Sequence, residues 1–115
     1  MSGFLHSGAP IFEIREAAGD ASDLLISSPQ LGRALAATLG PRAVVLMRGH
    51  GSTVVGNSLR EAVFQAIYTE INARLQREAL MLGNPVFLSA QEATACVATV
   101  GASIDRAWNL WKDQI

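Results

Sequence analysis

The stretch that decides the fold is Ala43-Val44-Val45-Leu46-Met47-Arg48-Gly49-His50-Gly51-Ser52-Thr53-Val54-Val55. Its first five residues are an unbroken, valine-rich apolar run, the composition of a strand covered on both faces. Four residues, Arg48 to Gly51, then separate that run from a second strand near Ser52 to Val55. The pattern reads as strand, tight loop, strand, and the side chains able to do chemistry sit in the loop.

Working outward, Ile11-Phe12-Glu13-Ile14-Arg15 alternates apolar and polar residues and predicts a half-buried strand. Gly19-Asp20-Ala21-Ser22-Asp23 reads as part of a loop. Ser28 has the character of an N-cap, and Pro29 fits the first helical position, where its missing N–H costs nothing. That helix runs through Leu31, Ala34, Leu35 and Leu39 until Gly40-Pro41 stops it. Downstream, Ser58-Leu59-Arg60-Glu61 is a capping-box pattern that opens the longest helix. Leu59, Val63, Ile67, Ile71, Leu75 and Ala79 form its apolar face, and Glu70 precedes Arg74 at the spacing of a favourable ion pair. Gly83-Asn84-Pro85 ends it. Ser89-Ala90-Gln91-Glu92 repeats the box and starts a last helix with the stripe Ala93, Val97, Val100, Ile104, Ala107, Trp108 and Trp111. The chain therefore reads as one α/β domain over residues 1–115, with few strands and three helices. Two long amphipathic helices are more than so small a sheet can use, so part of the sheet is expected to lie outside this sequence.

Composition narrows the function. Half the residues are hydrophobic and 17% are charged, enough to build a core and too apolar for disorder. Nine basic residues against ten acidic ones give a net charge of -1, with no basic stripe for nucleic acid. No apolar run approaches bilayer length, and no secretory signal is visible, so no membrane partner is expected. Cys96 is the single cysteine; among Ala93, Ala95, Val97 and Ala98 it reads as a small buried hydrophobe. A reducing cytoplasm is the expected location.

His50 is the residue with most chemistry to offer. Imidazole suits zinc, manganese or iron, and the flanking Gly49 and Gly51 allow a ligand close to the backbone. The local residues by themselves favour a plainer role, in which His50 closes the strand and bonds a carbonyl. There is no His-x-His, no His-Glu-x-x-His and no cysteine pair to complete a site. His6 lies in a glycine-flanked segment and gains no ligand partner from its neighbours. The loop lacks the lysine of a phosphate loop and leads into a strand, which excludes a nucleotide site of that kind. Arg48 offers a planar fork for carboxylate or phosphate, or is simply a solvated strand-end arginine. Tyr68, beside Phe64 and Ile67, reads as packing before proton donor; Glu13 and Glu70 become acid–base candidates only if turned inward.

Taken together, Gly8-Ala9-Pro10-Ile11-Phe12-Glu13-Ile14-Arg15, Asp23-Leu24-Leu25-Ile26, Leu46-Met47-Arg48-Gly49-His50-Gly51, Val54-Val55-Gly56 and Glu61-Ala62-Val63 resemble the class II aldolase/adducin family. That family includes fuculose-1-phosphate and rhamnulose-1-phosphate aldolases, ribulose-5-phosphate 4-epimerases and pyridine-dicarboxylate decarboxylases. The segments from Ala66 to Gln76 and from Asp105 to Trp111 are most similar to the decarboxylase-type branch. The resemblance implies a three-layer α/β/α domain, of which this chain matches the C-terminal half. It implies that His50 is one of three histidine ligands to a divalent metal, zinc or manganese, held weakly or not at all by the isolated chain. The other two ligands and the acid–base carboxylate belong to a region upstream, and His6 does not match them. In such sites the metal acts as a Lewis acid toward a small hydroxy-carbonyl or hydroxy-carboxylate substrate; Arg48 and Gly49 are the residues here placed to meet it. Members are homotetramers, which makes Tyr68, Arg74, Trp108 and Trp111 interface candidates. The competing expectation is a non-catalytic, adducin-like assembly module.

Overall fold

A computed structural model describes residues 1–114. The elements run in the order β1 (Ile11–Phe12), α1 (Arg15–Ala18), α2 (Pro29–Leu39), β2 (Val44–Met47), β3 (Gly51–Val54), α3 (Leu59–Leu82) and α4 (Ala90–Lys112), after a short 3-10 helix at Gly3–Leu5. The α/β class is as expected. The chain divides into two compact units, Gly8–Val54 and the remainder, Met1–Ser7 with the residues from Val55 onward.

The first unit holds a mixed three-stranded sheet in the order β1-β2-β3. β1 pairs parallel to β2, with Ile11 opposite Leu46 and Phe12 opposite Met47; β2 and β3 form an antiparallel hairpin closed by Met47 opposite Gly51. Phe12, Ile14 and Val45 make the core, against which Leu31, Ala34, Leu35 and Leu39 of α2 pack with Leu24 and Ile26. Burying a side chain of this size contributes about 1.5–3 kcal/mol. Ser28 caps α2 as expected, its Oγ accepting the Leu31 N–H at 3.3 Å.

Three expectations need correction here. β2 is not covered on both faces: Leu46 and its β1 partner Ile11 are 38% and 66% exposed. β1 ends at Phe12 instead of running to Arg15, because the Glu13 carboxylate accepts the Arg15 backbone N–H at 3.1 Å and starts α1 in place of strand or loop. That adds a fourth, one-turn helix to the three expected.

The second unit packs α3 and α4 with the 3-10 helix. Ser58 accepts the Glu61 N–H at 3.2 Å, but the Glu61 carboxylate bonds the N–H of Asn57, so the first predicted box closes one residue early. The second box, Ser89 with Glu92, is complete, and the Ser89 backbone N–H holds the Glu92 carboxyl below its usual pKa. Phe64, Gln65 and Thr69 are the buried residues of α3, whereas Leu59 and Leu75 of the predicted face are 70% and 53% exposed. A stripe spaced strictly by four drifts about 40° per step around a helix of 3.6 residues per turn. Among the described residues Glu70 and Arg74 form no ion pair; Arg60 instead bridges to Asp105 of α4 at 2.8 Å. Tyr68 lies 4.5 Å from the Phe64 ring, and Trp111 lies 6.2 Å from it, so both pack within the unit. Cys96 is half-buried, not fully buried.

Candidate functional site

The hairpin β2–β3 is where the sequence pattern becomes geometry. Residues 48–50 are its loop, one residue shorter than expected because Gly51 already belongs to β3. The His50 N–H donates to the Met47 carbonyl at 3.0 Å, closing a tight turn of the kind whose third residue takes positive φ. Gly49 supplies it, at φ +69°. A Cβ on Gly49 would also stand 3.3 Å from Leu24 Cδ1, so the 23–26 segment lies against the loop. Leu24 itself sits at φ +67°, a conformation that costs a non-glycine residue about 1–2 kcal/mol. The Ser22 hydroxyl, accepting its N–H at 3.1 Å, helps to hold it there.

Parallel pairing then sets the electrostatics. The Arg48 N–H donates to the Phe12 carbonyl at 3.2 Å, which carries the β1–β2 register one step further and sets Arg48 beside Glu13. Arg48 Nε stands 2.7 Å from Glu13 Oε2. The same carboxylate accepts Arg15 Nε at 3.0 Å on Oε1 and Arg15 Nη2 at 2.8 Å on Oε2. The hydrogen bonds from the Arg15 side chain and backbone, reinforced by Arg48, lower the Glu13 carboxyl from 4.5 to about 2. Glu13 is thus a permanent carboxylate at neutral pH. It is not poised to exchange a proton; it anchors two guanidinium groups. The link to Arg48 depends on a strand register that one sequence does not reveal.

His50 and Arg48 are both exposed, at the carboxyl end of β2 and beside the carboxyl end of β1. That is the end of an α/β sheet at which ligands bind. His6 is also exposed; its N–H closes the 3-10 turn onto Gly3, and it adds nothing to the loop's chemistry. A divalent metal needs about three or four protein donors. Among the described residues no group of three His, Cys, Asp or Glu side chains could hold one, so the residues here do not by themselves fit a metal. What the loop does offer is one imidazole next to a guanidinium whose charge is partly balanced by Glu13.

Residues 8–77 match the class II aldolase and adducin N-terminal domain family. The chain belongs to that family. Decarboxylase tropJ of Talaromyces stipitatus is 35% identical over 136 residues, an alignment that takes in all of this chain and 51% of the relative. The 3,4-dihydroxyphthalate decarboxylase of Rhodococcus jostii is 40% identical over 60 residues, 52% of this chain and 25% of that protein. Its namesake from Terrabacter sp. is 38% identical over the same length. The chain thus spans about half the length of tropJ and matches a quarter of each of the other two. No described helix is long and apolar enough to cross a membrane.

Proposed function

We propose that this class II aldolase-family chain carries one part of the active site of a decarboxylase-type lyase acting on a small hydroxy-carboxylate. The observation that carries the reading is the exposed Arg48-Gly49-His50 loop at the carboxyl end of the parallel strand pair, with Arg48 fixed by Glu13. Three matching relatives named decarboxylase support the reaction class. In this reading Arg48 receives the substrate carboxylate, using the face of its guanidinium not engaged by Glu13. Gly49 keeps the turn free of a side chain. His50 supplies one imidazole toward a divalent metal, zinc or manganese, whose other ligands, with the acid–base group, come from protein beyond these residues. The domain would then be the C-terminal half of the family's α/β/α unit. Exposed apolar residues in each unit, Ile11 and Leu46 in the first and Met81, Val86 and Phe87 in the second, support assembly into a homo-oligomer.

The test is turnover. With 3,4-dihydroxyphthalate and manganese or zinc, the 115-residue chain alone should release no carbon dioxide, because groups that act as a unit fail together. Metal-dependent release that disappears in His50→Ala would show that the chain is a sufficient catalyst and that the division of the site is wrong.

A further inference from the structure

Arg48 is not the only cation at the carboxyl end of the strands. Arg15, to which the loop chemistry assigns nothing, is held on the same Glu13 carboxylate. Arg15 Nη2 and Arg48 Nε touch the same oxygen, Oε2, at 2.8 Å and 2.7 Å, so these two nitrogens are at most two hydrogen-bond lengths apart. Like charges this close repel, and the carboxylate between them offsets that repulsion. It neutralises one guanidinium and leaves one positive charge over.

Each guanidinium carries five N–H donors. Glu13 takes two from Arg15 and one from Arg48, and among the described residues no other group accepts from either side chain. The two side chains are 49% and 43% exposed, so an anion can reach them from solvent. Among the described residues Glu16, Asp20 and Asp23, the acids nearest along the chain, pair with neither arginine; Asp23 Oδ1 accepts the Leu25 N–H instead. Two guanidinium groups fixed side by side, with donors unused, are a ready seat for a carboxylate.

Reaction chemistry decides which carboxylate. When a carboxylate is lost, its bond to carbon breaks and carbon dioxide leaves uncharged; the electron pair stays on the carbon, where a proton from water follows. A guanidinium on that carboxylate would hold charge that drains away as the transition state forms, so it would stabilise the ground state and slow the step. The arginines are useful only on a group that keeps its charge throughout. Resting on the decarboxylase reading above, we infer that Arg15 and Arg48 together seat a carboxylate that the reaction retains. The substrate is then a dicarboxylate whose departing group lies away from both arginines, and Arg15 is a second substrate contact beside Arg48.

The experiment titrates the full chain with benzoate, benzamide and phthalate, followed by the backbone amide NMR signals of Arg15, Arg48 and Gly49. Benzoate should shift these signals, and neutral benzamide should not. Arg15→Gln and Arg48→Gln should each weaken benzoate binding about tenfold, the worth of one charge-assisted hydrogen bond. Phthalate should bind wild type no more than about tenfold tighter than benzoate, since only one of its carboxylates meets the pair. The inference is overturned if wild type binds benzoate no better than benzamide, if a folded Arg15→Gln binds benzoate as well as wild type, or if the advantage of phthalate exceeds that bound. Loss in Arg48→Gln without loss in Arg15→Gln would remove Arg15 and leave the proposed function standing. No loss in either would remove the carboxylate role of Arg48 as well.

Discussion

Glu13 shares two oxygens between two guanidinium groups, and its side chain retains 23% of its surface. Because its carboxyl is held near 2 in the fold against 4.5 otherwise, its ion pairs contribute stability that is complete above about pH 4.5. That contribution is lost as the pH falls toward 2. Both arginines are largely exposed, so solvent screening keeps it modest. The melting temperature of wild type should therefore fall more steeply between pH 4.5 and pH 2 than that of Glu13→Gln. Parallel curves for the two proteins would mean that Glu13 anchors nothing. The place of Arg48, Gly49 and His50 in a tight loop between two strands was legible in the sequence, because glycines bracket a histidine after a valine-rich run. The role of Glu13 was not, because its partner Arg48 reaches it only through the β1–β2 pairing.

At the scale of elements, the helices were legible where their signals are local. Ser28, Ser58 and Ser89 each accept an N–H from three residues on, as their spacing in the sequence predicts. Ser89→Ala breaks a complete box and should cost about 1 kcal/mol of unfolding free energy, within the usual range for a lost cap. Urea denaturation monitored by circular dichroism measures it, and an unchanged midpoint would contradict the capping role. The length of β1 was not legible, since alternation over five residues says strand while one side chain, Glu13, turns the backbone into α1. The buried face of α3 was misplaced for a related reason. Thr69 and Gln65 are polar, yet they are inside; Thr69 Oγ1 satisfies itself on the Gln65 carbonyl at 2.7 Å, and hydropathy alone assigns both outward.

On the scale of the whole molecule, open apolar surface is the dominant feature. Met81, Leu82 and Val86 are 81%, 91% and 100% exposed, and Phe87 is 63% exposed. The purified chain should self-associate through this surface. Trp111, named by the sequence as an interface residue, already packs against Phe64. Sedimentation velocity across micromolar concentrations should show oligomers in wild type and a shift toward monomer in Met81→Glu/Val86→Glu. Both positions are so exposed that the fold loses nothing. A monodisperse wild-type monomer would contradict the expectation.

The central claim, that His50 is a metal-facing residue of a class II lyase, is tested most directly by calorimetric titration of zinc and manganese into wild type and His50→Ala. With one imidazole from the chain, wild type should bind weakly. Loss of an outer-shell partner alone weakens metal sites by about 10–100-fold, so loss of the imidazole itself should weaken binding at least about tenfold. Measurable binding of equal affinity in the two proteins would remove His50 from the metal site and contradict the account.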